Sequence, residues 1–313
     1  MLSTVYSKHK IYIVYNFNII MNNSRSIQKV GDRSYAISLP KEWIIANKLK
    51  EKDNIFFERT KDNKILFSTQ KMQNENKSIT ISTDAMSNIA EFIMLCYVKS
   101  IDNIILTSKT FNYEKTKKIR EIVTHLEGYN IIFEDEKTIK IAFMFNDIKI
   151  TTPQTIKRMF YLLKILLESI ENNDLKTAAE TENAIDRLYH LSKRILLSCI
   201  RDIELRKENN INNDEDIFFT KDVFKKLEGI GDSIYELTEI NYKKEDIDRI
   251  RKILSIIESI IIENKSVEQE LAKLKNIPNK HSTRNDLIIG KISDRAKDII
   301  ENMMSIEFNK KYF

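Results

Sequence analysis

Apolar and polar positions run along this chain in two periods, and the change of period divides it. Between residues 24 and 70 the apolar positions alternate. Tyr35, Ile37 and Leu39 share one side of Ser34–Leu39, which predicts a strand. Pro40 then opens a short helix at Lys41–Asn47, and Ile55–Arg59 and Lys64–Ser68 read as a hairpin turning at Asp62-Asn63. From 77 to 150 the period alternates between two and 3.6. This predicts strand Ser78–Ser82, helix Asp84–Val98, strand Asn103–Thr107, helix Tyr113–Leu126, and strands Asn130–Glu134 and Thr138–Phe143. From Pro153 onward the helical period dominates. Helices are expected at about 154–172, 174–206, 220–240, 243–274 and 285–307, with a break at Asn172-Asn173-Asp174, a polar linker over Asn209–Asp216, and Pro278 between the last two. Short joints between long helices predict an antiparallel bundle.

Charge changes the picture at one end only. The net charge of +5 is made of +2 over residues 1–20, +5 over 21–71 and −2 over the remaining 242 positions. The surplus cations of the N-terminal quarter suit a polyanion. Arg25, Lys29 and Arg33 precede or open the first strand, and Lys41 opens the short helix; spaced cations on a small β module suit DNA phosphates. A solvated basic surface fits the same residues. Two cysteines, Cys96 and Cys199, stand far apart in apolar helical stretches, as buried thiols of a reducing, cytoplasmic compartment would. No apolar run is long enough for insertion into a membrane. Residues 1–20 lack a cleavage site and are expected to be disordered or a mis-assigned start. With no phosphate loop and no nucleophile–base set, the chain is not expected to be an enzyme.

Two helices carry acids at the same spacing: Glu182 and Asp186 on one, Glu228 and Asp232 on the other. Residues four apart lie on one helix face, and like charges there repel unless a cation intervenes. The first pair borders Ala178, Ile185 and Tyr189, the second Phe224, Leu227 and Tyr235, so both edge a core stripe. Only 5 glycines occur in the chain, and Gly229 and Gly231 fall inside the second pair. Helical glycine costs about 1 kcal/mol against alanine, which suggests that another backbone or a ligand approaches closely. A carboxylate cluster for oxygen-preferring cations and a solvated acidic edge both satisfy this spacing. His190 extends the first row and Glu236 the second; His9, His125 and His281 stand alone.

Ser34-Tyr-Ala-Ile-Ser-Leu-Pro-Lys-Glu-Trp43, followed by Lys50-Glu-Lys-Asp53 and a hairpin, resembles the SpoVT/AbrB type of module. That resemblance implies a swapped-hairpin dimer that binds double-stranded DNA. Glu182–Tyr189 and Leu227–Asp232 resemble the E(D)xxxD signatures of the PhoU family of phosphate-uptake regulators, and Asp84–Phe143 is similar to the spacer of archaeal proteins that join the two modules. Gly229 and Ser233 depart from the arginine and histidine usual in that family, and Asn183 from a common acid. The PhoU resemblance implies a metal site on Glu182, Asp186, Glu228 and Asp232. Magnesium, manganese or iron suits the carboxylates, and zinc if His190 joins. The expected fold is therefore multidomain α+β: a SpoVT/AbrB-like DNA-binding domain over 24–70 with a swapped-hairpin β module, a small α+β spacer domain over 77–150, and an all-α PhoU-like helical bundle over 153–307. The expected function is a homodimeric transcriptional regulator of phosphate uptake or a related response. The alternative is a cytoplasmic PhoU-like adaptor whose bundle docks on a transporter or kinase while the β module only dimerises; phosphate-transport or signalling proteins are expected partners beside DNA and a second copy.

Overall fold

A computed structural model describes residues 24–32, 34–59, 65–69, 77–145, 150–275, 277 and 283–312. The segment 1–20, His9, Arg33, the Asp62-Asn63 turn, Pro278 and His281 lie outside the described residues. The chain divides into two compact units, Met1–Gln73 and Asn74–Phe313.

In the first unit β1 (Gln28–Val30) pairs antiparallel with β2 (Ser34–Ala36) around Gly31, whose φ of +66° the turn requires. The strand expected over Ser34–Leu39 ends at Ala36, because its partner is only three residues long. Pro40 caps α1 (Lys41–Ala46), and β3 (Phe56–Arg59) pairs with β4 (Ile65–Ser68). The two hairpins form separate two-stranded sheets. Among the described residues of this unit none is buried. Ile27, Val30, Tyr35, Ile45, Phe57 and Ile65 are all exposed. Among its described residues, one copy of this module therefore buries no core of its own.

The second unit has two hydrophobic cores. In the first, β5 (Ser78–Ser82), α2 (Ile89–Val98), β6 (Asn103–Thr107), α3 (Tyr113–Thr124), β7 (Tyr129–Glu134) and β8 (Thr138–Phe143) make a sheet of order β5-β6-β8-β7. β5 and β6 run parallel; β8 is antiparallel to both its neighbours. The two crossovers between parallel strands advance in the same direction across the sheet, which sets α2 and α3 on one face, over Ile104, Leu106, Ile139 and Ile141. α2 starts later than the apolar pattern suggests, because the side chain of Asn88 accepts from the Glu91 N–H and caps the helix there.

The second core is a bundle of α4 (Thr152–Glu171), α5 (Leu175–Arg201), α7 (Asp214–Tyr235), α8 (Lys244–Ile261) and α10 (Arg284–Tyr312), with short α6 (Ile203–Glu208) and α9 (Val267–Lys275) at its joints. The capping box of Thr151 with Gln154, with Pro153 just inside, starts α4, and Asp174 caps α5. Three joints differ from the sequence reading. The helix expected over 174–206 breaks at Asp202, whose backbone turns extended. The one expected over 243–274 stops at Ile261, where Asn264 takes a φ of +54° and the Lys265 N–H closes back on the Ser259 carbonyl. The supposed linker 209–216 is tied down. The Asn209 amide oxygen accepts from the Thr152 N–H at 2.7 Å, Ile211 is buried, and Asn213 already caps α7.

Arg194 of α5 joins the two cores. Its guanidinium donates to the carbonyls of Tyr97 and Ile101 and to the Asp102 carboxylate, and it lies 3.8 Å from the centroid of the Phe143 ring, among Tyr97 and Tyr129. Its side chain is 6% exposed. Glu127 adds ion pairs to Arg158 of α4 and Arg187 of α5. Truncating a partner in a buried, hydrogen-bonded ion pair leaves the other charge uncompensated. Arg194→Ala is expected to cost about 3–5 kcal/mol, and Arg194→Lys most of the same, since an ammonium lacks the planar fork. Urea denaturation of the full chain checks this; an unchanged midpoint in Arg194→Ala would refute it.

Candidate functional site

The basic residues of the first unit sit on open elements. Lys29 is the middle residue of β1, on the hairpin face of its cross-strand partner Tyr35. Arg25 precedes the strand and is exposed, and its guanidinium reaches only the carbonyl of its neighbour Ser24. Lys41 is exposed in the first turn of α1. All three are free to meet a phosphate backbone. Lys29 lies within β1, a strand the sequence reading did not name.

In the bundle α5 and α7 pack antiparallel, and their acids meet. One oxygen each of Glu182, Asp186 and Asp232 lies within 4.8 Å of the others. Glu228 is not part of this trio. Both its oxygens accept from the Lys225 ammonium one turn back, at 2.8 and 2.7 Å, and the residue is nearly buried. The resemblance therefore places four acids together, and the structure brings three to one point with the fourth neutralised beside them. Nor does His190 join the trio. Its Nδ1 is buried without a hydrogen-bond partner, and burial, then the charges of Lys193, Lys225 and His125, pull its pKa down to about 4. Glu236, at the end of the second row, pairs with Lys291 at 3.0 Å.

The two glycines do different things. A Cβ on Gly231 would lie 3.3 Å from Ile185 Cδ1 and 3.5 Å from Leu163 Cδ2, so this glycine lets α5 and α4 approach α7 closely. A Cβ on Gly229 would lie 2.7 Å from Arg295 Nε. That glycine gives the Arg295 side chain passage across α7 to donate to the Ser233 hydroxyl. At both glycines the nearest atoms belong to side chains.

The electrostatics follow from crowding. Burial, then the charges of Asp186, Asp232 and Glu228, push Glu182 up to about 7. Burial, then Glu228 and Asp232, push Asp186 up to about 6, and Asp232 is raised by burial and Glu228. Lys193 and Lys225 both lie over the ring of Tyr189, at 4.2 and 5.0 Å. Burial lowers the Lys193 ammonium; at Lys225 burial is outweighed by the hydrogen bond and charge of Glu228, which raise it. Sequence reasoning missed three groups near the acids: Lys225, Arg295, and His125 from the end of α3. The Lys225–Glu228 spacing of three was a readable signal; His125 had none.

Three carboxylates at this separation, all oxygen donors whose proton affinity is raised by burial and by one another's charge, fit a hard divalent cation. An acid that keeps its proton to higher pH in the folded state stabilises that state at low pH. The contribution of Glu182 and Asp186 is present below their ordinary values, near 4, and is lost as pH rises through about 6 to 7. With chelator present, the melting temperature should fall across this window, and Glu182→Gln should flatten the fall. A flat profile in the parent protein would show that the acids are fully solvated.

One family model matches: MazE antitoxin, described as antidote-toxin recognition MazE, bacterial antitoxin, over residues 28–66. No curated protein and no solved structure gives a significant match. The first unit is thus a domain of the AbrB/MazE-like type, whose boundaries fall on the two hairpins and α1. The match stops short of the bundle. Among the described residues no helix is long and apolar enough to cross a membrane.

Proposed function

We propose that this chain is a homodimeric, DNA-binding transcriptional regulator, with residues 24–70 on operator DNA and the PhoU-like bundle over 153–307 as its sensor. The observation that carries the reading is the AbrB/MazE-like match on a unit that has surplus positive charge and no core of its own. A second copy would cover its apolar faces and set two basic surfaces on one duplex. DNA binding should fall steeply with salt. Replacing Arg25, Lys29, Arg33 and Lys41 with alanine should make log affinity against log salt shallower by about 0.9 for each phosphate that the variant no longer neutralises. Fluorescence anisotropy with full-length protein and a mixed-sequence duplex measures this; an unchanged slope would place DNA binding elsewhere or nowhere. Regulation of phosphate uptake is supported by the resemblance alone, and chromatin capture at high and low phosphate tests it.

The sensor reading assigns a magnesium, manganese or iron ion to Glu182, Asp186 and Asp232, with Glu228 held beside it by Lys225. Zinc is the weaker candidate, because His190 stands apart from the trio. A cation bound only by the folded chain raises its melting temperature by mass action. Calorimetry should show that rise in the parent and not in Asp186→Asn/Asp232→Asn. The same melting temperature with chelator and with each ion would remove metal from the function. The adaptor alternative has its own support. Met304, Phe308 and Tyr312 form an exposed stripe along the end of α10, the kind of face that docks on another protein. It predicts a dimer without DNA affinity.

A further inference from the structure

The two edges of the four-stranded sheet are built differently. β7 is guarded: a register irregularity between Ile131 and Phe133 disrupts its ladder, Arg120 holds Glu134 at its end, and the Lys140 ammonium lies 5.2 Å from the Phe133 ring centroid. These are devices that discourage strand addition. β5 has none of them. Its five residues, Ser-Ile-Thr-Ile-Ser, contain no charge and no proline, and its pairing with β6 runs without irregularity.

The main-chain directions of β5 are fixed by its ends. The Lys77 carbonyl accepts from the Asn103 N–H, and the Thr83 N–H donates to the Thr107 carbonyl. In a strand successive residues turn their main-chain groups to opposite sides, so Ile79 and Ile81 also face β6. Ser78, Thr80 and Ser82 turn their N–H and C=O outward. Among the described residues nothing bonds to those groups. The side chains of the same three residues are exposed, while Ile79 and Ile81 pack against the core.

We propose that β5 is the seam along which two copies of this chain join their sheets, antiparallel about a two-fold axis at Thr80. The register is self-complementary. Thr80 exchanges both main-chain bonds with the partner's Thr80, and Ser78 does the same with the partner's Ser82. Hydroxyl residues then face one another across the seam, which cross-strand pairing favours. No like charges oppose. Lys77 and Asp84 flank the strand, and antiparallel pairing brings the lysine of one copy beside the aspartate of the other. The inference rests on the reading that residues 24–70 dimerise. Nine residues, 69–77, separate β4 from β5. Dimerisation through residues 24–70 makes this second contact intramolecular, so a short seam that would be weak alone can form.

The test uses the full-length chain. Thr80→Cys puts two thiols across a hydrogen-bonded pair, where the expected Cα separation of about 5.5 Å suits a disulfide. The native Cys96 and Cys199 are buried and do not compete. Under oxidised glutathione Thr80→Cys should form a covalent dimer, while Ile132→Cys on the guarded edge stays monomeric on a non-reducing gel. In the unaltered protein the amides of Ser78, Thr80 and Ser82 should be protected from hydrogen exchange. A chain that is dimeric by light scattering, yet neither cross-links at Thr80 nor protects these amides, overturns the seam and leaves dimerisation through the first unit standing. Protected amides without a cross-link also overturn it, since another segment then covers the edge. A monomeric chain overturns both readings.

Discussion

The seam between α5 and α7 decides most of what the second unit can do. Because Gly231 carries no side chain, Ile185 and Leu163 rest directly against the backbone of α7. That approach brings Glu182 and Asp186 against Asp232 and drives them to hold protons that isolated carboxylates would release. The chain offsets one of its four charges internally, through Lys225 on Glu228, and leaves three. Gly229, one residue from the contact point on the other side of Ile230, admits Arg295 behind the same helix. The close packing and the acidic centre are one feature, since a wider seam would lose both.

The two units solve the problem of burying apolar surface in opposite ways. Residues 74–313 build two cores and join them through the buried Arg194 guanidinium, with Glu127 pairing to Arg158 and Arg187 beside it. Across the same junction His125, at the end of α3, lies within electrostatic range of Glu182 and Asp186. Among the described residues of the first unit, two short hairpins and a helix of six residues bury no side chain fully and leave Tyr35, Phe57 and Ile65 exposed.

Much of this was legible in the residues, and the exceptions have causes. Thr151, Pro153 and Asp174 mark helix starts because caps and N-terminal proline act within one turn. The breaks at Asp202 and Asn264 were not legible. Asparagine takes a left-handed backbone only where tertiary packing ends the helix, and the apolar period runs on past it. Spacing put each pair of acids on one helix face, but whether the two pairs meet did not follow from it. The absence of Glu228 from the trio did not follow either, although Lys225 lies three residues away, because the contest between a cation and three distant carboxylates is settled by packing. In the sequence Arg194 is one more charge on an amphipathic helix. Nothing local distinguishes a buried arginine from a solvated one until Asp102 and Phe143 are placed beside it.

A coreless N-terminal module has a consequence for the abundance of the protein in a cell. Where folding requires an encounter between chains, stability is a function of copy number. A freshly made chain at low copy would expose the strands of residues 24–69 to proteases while its bundle is already folded. Turnover then falls as the population grows, because each new chain finds a mate sooner. Such a module sets a threshold: below it the basic surface is degraded or incomplete, above it the surface persists. If the proposed dimer is required for folding, a gradual change in synthesis is thereby converted into a sharper change in the number of folded first units.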